Sequence, residues 1–147
     1  MSILIYKPQN FKLWELVDPW TYEKRGQRAW SLIDPGYAYM LAKLRVYFGP
    51  AVMNTYGSKR MIRLYGLRRY AGYRFPGCKV GAEFSMHRLG KGGDPIFIKW
   101  PSAEHVRKVI LLNQEKFPKI TRMERKVSWV HFDCAPTNSK RIILFNP

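Results

Sequence analysis

The sequence predicts an α+β protein in which a small antiparallel sheet has helices packed on one side. Two observations lead to this prediction. Apolar residues recur with helical spacing in two segments, and several short apolar runs bounded by turn residues have the length of strands. The chain has 147 residues, of which 46% are hydrophobic and 15% aromatic. A chain of this size and composition buries a core, so we expect one folded domain over residues 1–147.

Two helices are predicted with defined ends. Asp34 is a candidate N-cap for a helix over 36–48, where apolar residues share one face, and Gly49 ends that pattern. Ser102 is a candidate N-cap for a second helix that runs from 103 to about 113. The apolar faces of both helices are expected to contribute to the core.

The remaining elements are shorter. A short helix is expected within residues 21–30. Residues 57–81 are expected to form a long basic and aromatic loop, and residues 90–93 a glycine-rich tight turn. Strands are predicted over 51–56, 94–100, 119–124, 127–133 and 141–145.

The charge of the chain is strongly positive. The formal net charge is +16, and the segment from Lys59 to Lys91 holds nine Lys or Arg residues against one acidic residue, Glu83. Such a field attracts polyanions and is screened by salt. Nucleic acid, anionic cell-wall polymers and a packaged genome are all candidate partners, and charge alone does not choose among them.

No signal of membrane insertion or export is found in the sequence. No stretch approaches the roughly 20 consecutive apolar residues of a membrane span. The first eight residues have neither the charged start nor the long apolar run of a signal peptide. The two cysteines, Cys78 and Cys134, form no CxxC pair and are expected to be reduced thiols, with a disulfide as the alternative.

A candidate metal site consists of His87, Asp94 and His131. Two of the three histidines of the chain are in this set. Imidazole nitrogen and carboxylate oxygen both suit Zn²⁺, and three protein ligands leave a fourth position open, as in catalytic zinc sites. From spacing alone, the alternative interpretation is a buried histidine beside a turn aspartate.

The motifs around these residues resemble a known family. Ser-x-His-x-x-Gly-x-x-x-Asp at residues 85–94, followed by Trp-x-His at 129–131, is similar to the M15 family of zinc D-Ala-D-Ala peptidases, which includes phage endolysins. Segments 11–17, 72–76, 78–82 and 144–147 also resemble small phage-type members. The resemblance implies a D-Ala-D-Ala peptidase-like fold with zinc at the sheet edge. It also implies that His87, Asp94 and His131 hold zinc and that Ser85 and Trp129 contact substrate.

The resemblance also implies a function and a location. The substrate would be the peptide part of bacterial peptidoglycan, and an arginine, best matched by Arg74 with Arg68 as the alternative, would stabilise the charged intermediate. A phage-encoded protein without a signal peptide would be made in the host cytoplasm and then reach the cell wall on release or be carried in a virion.

One departure from the family pattern concerns the general base. The acidic base of the family lies three residues before the last histidine ligand, and this position is Ser128 here. A serine does not accept a proton at neutral pH as a carboxylate does. Asp133 is expected either to replace the base or, as we favour, to orient His131, and Glu124 is a weaker candidate. The alternative functions are a catalytically impaired, zinc-stabilised virion or wall-binding protein and a nucleic-acid-binding protein.

Overall fold

A computed structural model describes residues 4–147. The first three residues, part of the segment predicted to carry no signal peptide, lie outside the described residues. Five α-helices, six strands and three short 3-10 helices (Gly26–Leu32, Met86–Leu89 and Gln114–Lys116) make up this part of the chain. The helices are α1 Leu13–Leu16, α2 Pro19–Arg25, α3 Pro35–Phe48, α4 Lys59–Tyr65 and α5 Ala103–Leu112. The strands are β1 Ala51–Val52, β2 Gly92–Gly93, β3 Ile96–Phe97, β4 Arg122–Glu124, β5 Phe132–Asp133 and β6 Ile143–Phe145.

The larger sheet has four strands in the order β2-β5-β4-β6. β5 pairs antiparallel with β2 and with β4, whereas β6 pairs parallel with β4. The α+β class is therefore confirmed, but this sheet is mixed instead of wholly antiparallel. The connection over 134–142 is long enough to carry the chain past β4 and add β6 at the far edge, which a tight hairpin could not do.

A second, two-stranded sheet pairs β1 with β3 in antiparallel register. Both strands are shorter than predicted, and beyond Val52 the backbone groups of the chain are taken by partners outside the ladder. The guanidinium of Arg68 donates to the carbonyls of Val52 and Met53, and the amide of Asn54 bonds the carbonyl of Glu15. The chain thus leaves the sheet after Val52.

The predicted long helices are confirmed, including their caps. The Asp34 carboxylate accepts from the amide of Tyr37 at the start of α3, and Ser102 accepts from the amide of His105 at the start of α5. The predicted helix within 21–30 is present as the end of α2 and the following 3-10 helix. α3 contributes most to the core, with Tyr37, Ala38, Met40, Leu41, Leu44 and Phe48 all buried.

Two segments differ from the sequence prediction. Gly92 and Gly93 form strand β2 instead of part of a turn. Within residues 90–93, only Gly90 has the left-handed conformation, with φ of 67°. The predicted loop over 57–81 contains helix α4. That helix is only seven residues long and buries none of its residues, although the Ser58 hydroxyl caps its start by accepting from the amide of Met61. Among the described residues, none of the helices has both the length and the apolarity of a membrane span.

Candidate metal centre

The two faces of the four-stranded sheet have different roles. Met123 and Phe132 are directly paired across β4 and β5, and both are fully buried on the core face. Side chains alternate between the faces of a sheet, so the neighbouring pair Arg122 and Asp133 lies on the opposite face. His131, two residues before Asp133, is placed on that second face as well. The local sequence thus directs polar side chains away from the core.

Three candidate ligands converge on this polar face. One side-chain ligand atom from each of His87, Asp94 and His131 lies within 4.8 Å of the other two, and all three residues are buried. Asp94 Oδ1 lies 3.2 Å from His87 Nε2 and 2.7 Å from His131 Nδ1. His87 lies in the 3-10 helix Met86–Leu89, Asp94 directly follows β2, and His131 directly precedes β5. The motif resemblance predicted this grouping, which spacing alone left open, and the structure places the three side chains together.

His87 is oriented by a backbone carbonyl. Its Nδ1 donates to the carbonyl of Gly72 over 2.7 Å, which leaves Nε2 facing Asp94. Gly72 is itself pressed against the backbone of Leu16, where an added Cβ would overlap the Leu16 carbonyl oxygen. Only glycine fits there, so a backbone packing contact fixes the tautomer and the direction of one candidate ligand.

His131 is oriented by a carboxylate. Its Nε2 lies 3.2 Å from Asp133 Oδ2, while Nδ1 faces Asp94. The Arg122 guanidinium binds both oxygens of Asp133, with the shortest contact at 2.8 Å, and the amide of Ala135 donates to Oδ1. Because these partners occupy both oxygens of the fully buried Asp133, this carboxylate holds His131 and is not free to accept another proton.

Two arginines act on Asp94 in different ways. Arg74 Nη2 lies 3.2 Å from Asp94 Oδ2 and 3.3 Å from His87 Nε2, so its guanidinium is part of the cluster. Arg68 instead donates to the backbone carbonyl of Asp94 over 2.7 Å. Of the two arginines considered from the sequence, Arg74 therefore lies beside the candidate ligands, and Arg68 positions the backbone that carries one of them.

The charges of the cluster reinforce one another. Burial alone would raise the pKa of Asp94, but His87 and His131 beside it hold that pKa well below its usual range. Burial opposes protonation of His131, yet its contacts with Asp133 and Asp94 raise its pKa to about 9. A cation is therefore favoured between these carboxylates, either as a proton on His131 or as a metal ion that replaces it.

The cluster lies at a cleft of about 650 Å³. Ser85 and Trp129, which the resemblance assigns to substrate contact, both line it. Ser85 also caps the 3-10 helix that carries His87, and its hydroxyl accepts from the His87 amide. Ser128 does not line this cleft. It is exposed and lines a neighbouring cavity beside Val106.

Sequence reasoning missed some residues that build the site and ranked one of them low. Gly72 and Arg122 act only through contacts with distant residues, and no local pattern marks them. Glu124 lines the cleft, although it lies seven residues before His131. The signal that could have identified it is the strand pairing, because the amide of Glu124 bonds the carbonyl of His131 and places the two residues opposite each other.

Comparisons of the chain with protein-family profiles, with curated proteins and with solved structures find no match. The class of the protein is described from its fold and its candidate site alone. The protein has an α+β fold with small antiparallel and mixed sheets, and a buried His-Asp-His cluster that can hold a metal ion lies on the polar face of the larger sheet.

Proposed function

We propose that the protein is a zinc-dependent peptidase that cleaves D-Ala-containing peptides of bacterial peptidoglycan, and that it is phage-encoded. The observation that carries the proposal is the buried cluster of His87, Asp94 and His131 beside Arg74 at the cleft. Two imidazoles and one carboxylate form a donor set that suits zinc and leaves a coordination position open. The resemblance of the same residues to the M15 motifs supplies the substrate class.

The residues of the cleft fit this chemistry. When bound, zinc acts as a Lewis acid on a peptide carbonyl and lowers the pKa of water toward about 7. Nε of Arg74 donates to the backbone carbonyl of Tyr70 over 2.7 Å, and this bond holds the guanidinium in place. The guanidinium is therefore preorganised to stabilise negative charge on the carbonyl oxygen of the substrate peptide. Such stabilisation increases as the charge develops, and it therefore contributes to the rate of the reaction.

The support around the candidate ligands also agrees with a metal site. The Gly72 carbonyl accepts from Nδ1 of His87, and the Asp133 carboxylate bonds Nε2 of His131. In each ring this is the nitrogen that faces away from Asp94. Metal-binding histidines commonly have this second hydrogen bond, which fixes the tautomer and the ring orientation. The two supporting groups thus leave one nitrogen of each ring directed at Asp94.

Incubation of the zinc-loaded protein with purified peptidoglycan tests the proposal. We expect new free amines to appear, with no release after treatment with EDTA and none from the His87→Ala variant. His105→Ala is the matched control, since His105 is an exposed helix residue whose ring hydrogen-bonds only Ser102 among the described residues. If the zinc-loaded wild type releases no amines, the peptidase function is rejected, and a wall-binding or virion role without catalysis becomes the better description.

Binding of a polyanion is a second candidate function. Residues 57–82 contain no acidic residue. Three of the arginines between Lys59 and Lys91 are engaged internally by backbone carbonyls: Arg68, Arg74 and Arg88. The other cations of that segment form no ion pair within residues 4–147, and five of them are exposed: Lys59, Arg60, Arg63, Arg69 and Lys79.

The salt dependence of binding distinguishes this second function. A basic face that neutralises phosphates binds an oligonucleotide with an affinity that falls steeply as salt increases. A double variant of helix α4, Arg60→Gln with Arg63→Gln, should weaken binding and reduce the slope, while amine release from peptidoglycan remains. Oligonucleotide binding that does not depend on salt would reject this candidate.

A further inference from the structure

We propose that the Glu124 carboxylate accepts the proton of the attacking water in the cleft, the role that the M15 resemblance assigns to the position of Ser128. This inference rests on the peptidase function proposed above and specifies the residue that completes it. Glu124, on the strand β4 that pairs opposite His131, would thus supply the carboxylate that the family has three residues before this histidine.

Strand pairing places Glu124 on the correct face. Arg122 pairs with Asp133 and Met123 with Phe132, so the next position of β4, Glu124, lies opposite His131. The amide of Glu124 bonds the carbonyl of His131 over 3.3 Å, in agreement with this register. Opposite residues of an antiparallel pair share a face, and the Glu124 side chain therefore projects on the same side as the imidazole of His131.

The Glu124 side chain lies in the cleft beside the candidate metal centre. Glu124 lines the same cleft of about 650 Å³ as Arg74, His87, Asp94 and His131. It is half-buried, and its carboxylate has no hydrogen-bond or ion-pair partner within residues 4–147.

The other carboxylates of the cleft are less suited to accept a proton. Asp94 is a candidate ligand and is paired with Arg74. Asp133 is bound by Arg122, His131 and Ala135. Glu83 is exposed on the loop before His87 and lies outside the strands of the sheet. Glu124 alone among the carboxylates lining the cleft combines a strand position with an unoccupied carboxylate.

The proposed step conserves atoms and charge. The water oxygen forms a bond to the carbon of the peptide carbonyl, and one water proton moves to the Glu124 carboxylate. Arg74 stabilises the negative charge that forms on the carbonyl oxygen. The carbon–nitrogen bond then breaks, Glu124 returns the proton to the leaving nitrogen, and the products are a carboxylic acid and an amine.

The test compares zinc-loaded Glu124→Gln with the wild type on purified peptidoglycan. Glutamine keeps the size of the side chain and removes its ability to accept a proton. Loss of a general base typically costs roughly 10²–10⁴-fold, so we expect kcat for amine release to fall by that factor. Zinc content and the fraction of protein that sediments with insoluble peptidoglycan should remain at the wild-type values.

Two matched variants serve as controls. Glu83→Gln neutralises the exposed carboxylate of the same cleft and should release amines at the wild-type rate. In a Ser128→Glu background, Glu124→Gln should remain slow, because residue 128 lines a different cavity. Recovery of the rate in that double variant would overturn the assignment in favour of position 128.

The remaining outcomes separate the two proposals. Wild-type rates in Glu124→Gln overturn the role of Glu124 and leave the peptidase function in place. Loss of zinc or of peptidoglycan binding in Glu124→Gln also overturns it, because the residue would then be structural. A zinc-loaded wild type that releases no amines rejects the peptidase function and the role of Glu124 together.

Discussion

The two faces of β4 and β5 differ although they share the same short stretch of chain. On one face, Met123 and Phe132 are buried, and the Phe132 ring stacks on Tyr37 of α3 with centroids 5.2 Å apart. On the other face, His131 and Asp133 join a network of hydrogen bonds. Residues that are adjacent in sequence therefore serve stability and chemistry separately, and substitutions in neighbouring positions should have separable effects.

The largest expected effect on stability comes from the core face. Phe132→Ala removes a fully buried ring and should lower the free energy of unfolding by about 3–5 kcal/mol, measured by denaturant titration of the metal-free protein. At temperatures where this variant remains folded, its zinc stoichiometry should match that of the wild type. Loss of zinc by the folded variant would show that the two faces are not separable.

The next largest effect tests the polar face through its proposed ligand. Zinc at a free concentration of 100 times its Kd should stabilise the protein by about 2.7 kcal/mol relative to the metal-free form, because it binds only the folded chain. The measurement is the free energy of unfolding with zinc and with EDTA. In His131→Ala, zinc should give little of this stabilisation, and an equal gain in that variant would contradict the site.

The support of His131 can be weakened without removing it. Asp133→Asn leaves the shape of the side chain but removes the charge that faces Arg122 and His131, so it should destabilise the protein by about 1–3 kcal/mol. Zinc affinity, measured by competition with a chelator, should fall by about 10–100-fold, as is typical when a residue that orients a ligand is changed. Unchanged affinity would show that Asp133 contributes only to folding.

The smallest effect on stability and on rate is expected at Ser128, which lies outside the cleft. Ser128→Glu changes an exposed residue outside the cleft, so its effect on the free energy of unfolding should be within about 0.5 kcal/mol. Its rate of amine release should equal that of the wild type. A marked increase in rate would place residue 128 within reach of the reaction and contradict the cavity boundaries described above.

Local patterns predicted the parts of the fold that depend on local rules. The caps at Asp34 and Ser102 and the apolar stripes that follow them are short-range signals, and both helices are present with these starts. Helix α4 also has a side-chain cap, since the Ser58 hydroxyl accepts from the amide of Met61, but it is only seven residues long and was predicted as part of a loop. The parallel pairing of β6 with β4 depends on the path of a long connection, which no local pattern specifies.

The candidate site also has residues that the sequence indicated and residues that only the structure identifies. His87, Asp94 and His131 have residue types that suit a metal and were predicted as ligands from a motif resemblance, and the structure brings them together. The groups that orient the two histidines are a glycine carbonyl and an aspartate held by an arginine from another strand. Glu124 is close to His131 only across a strand pair, so its place at the cleft requires the register and cannot be obtained from sequence distance.

The zinc content of the purified, folded protein tests the central claim most directly. We expect about one zinc ion per chain in the wild type and in His105→Ala, and almost none in His87→Ala with its circular dichroism spectrum unchanged. A wild type that binds no zinc, or a His87→Ala variant that retains the full amount, would contradict a metal centre built from His87, Asp94 and His131.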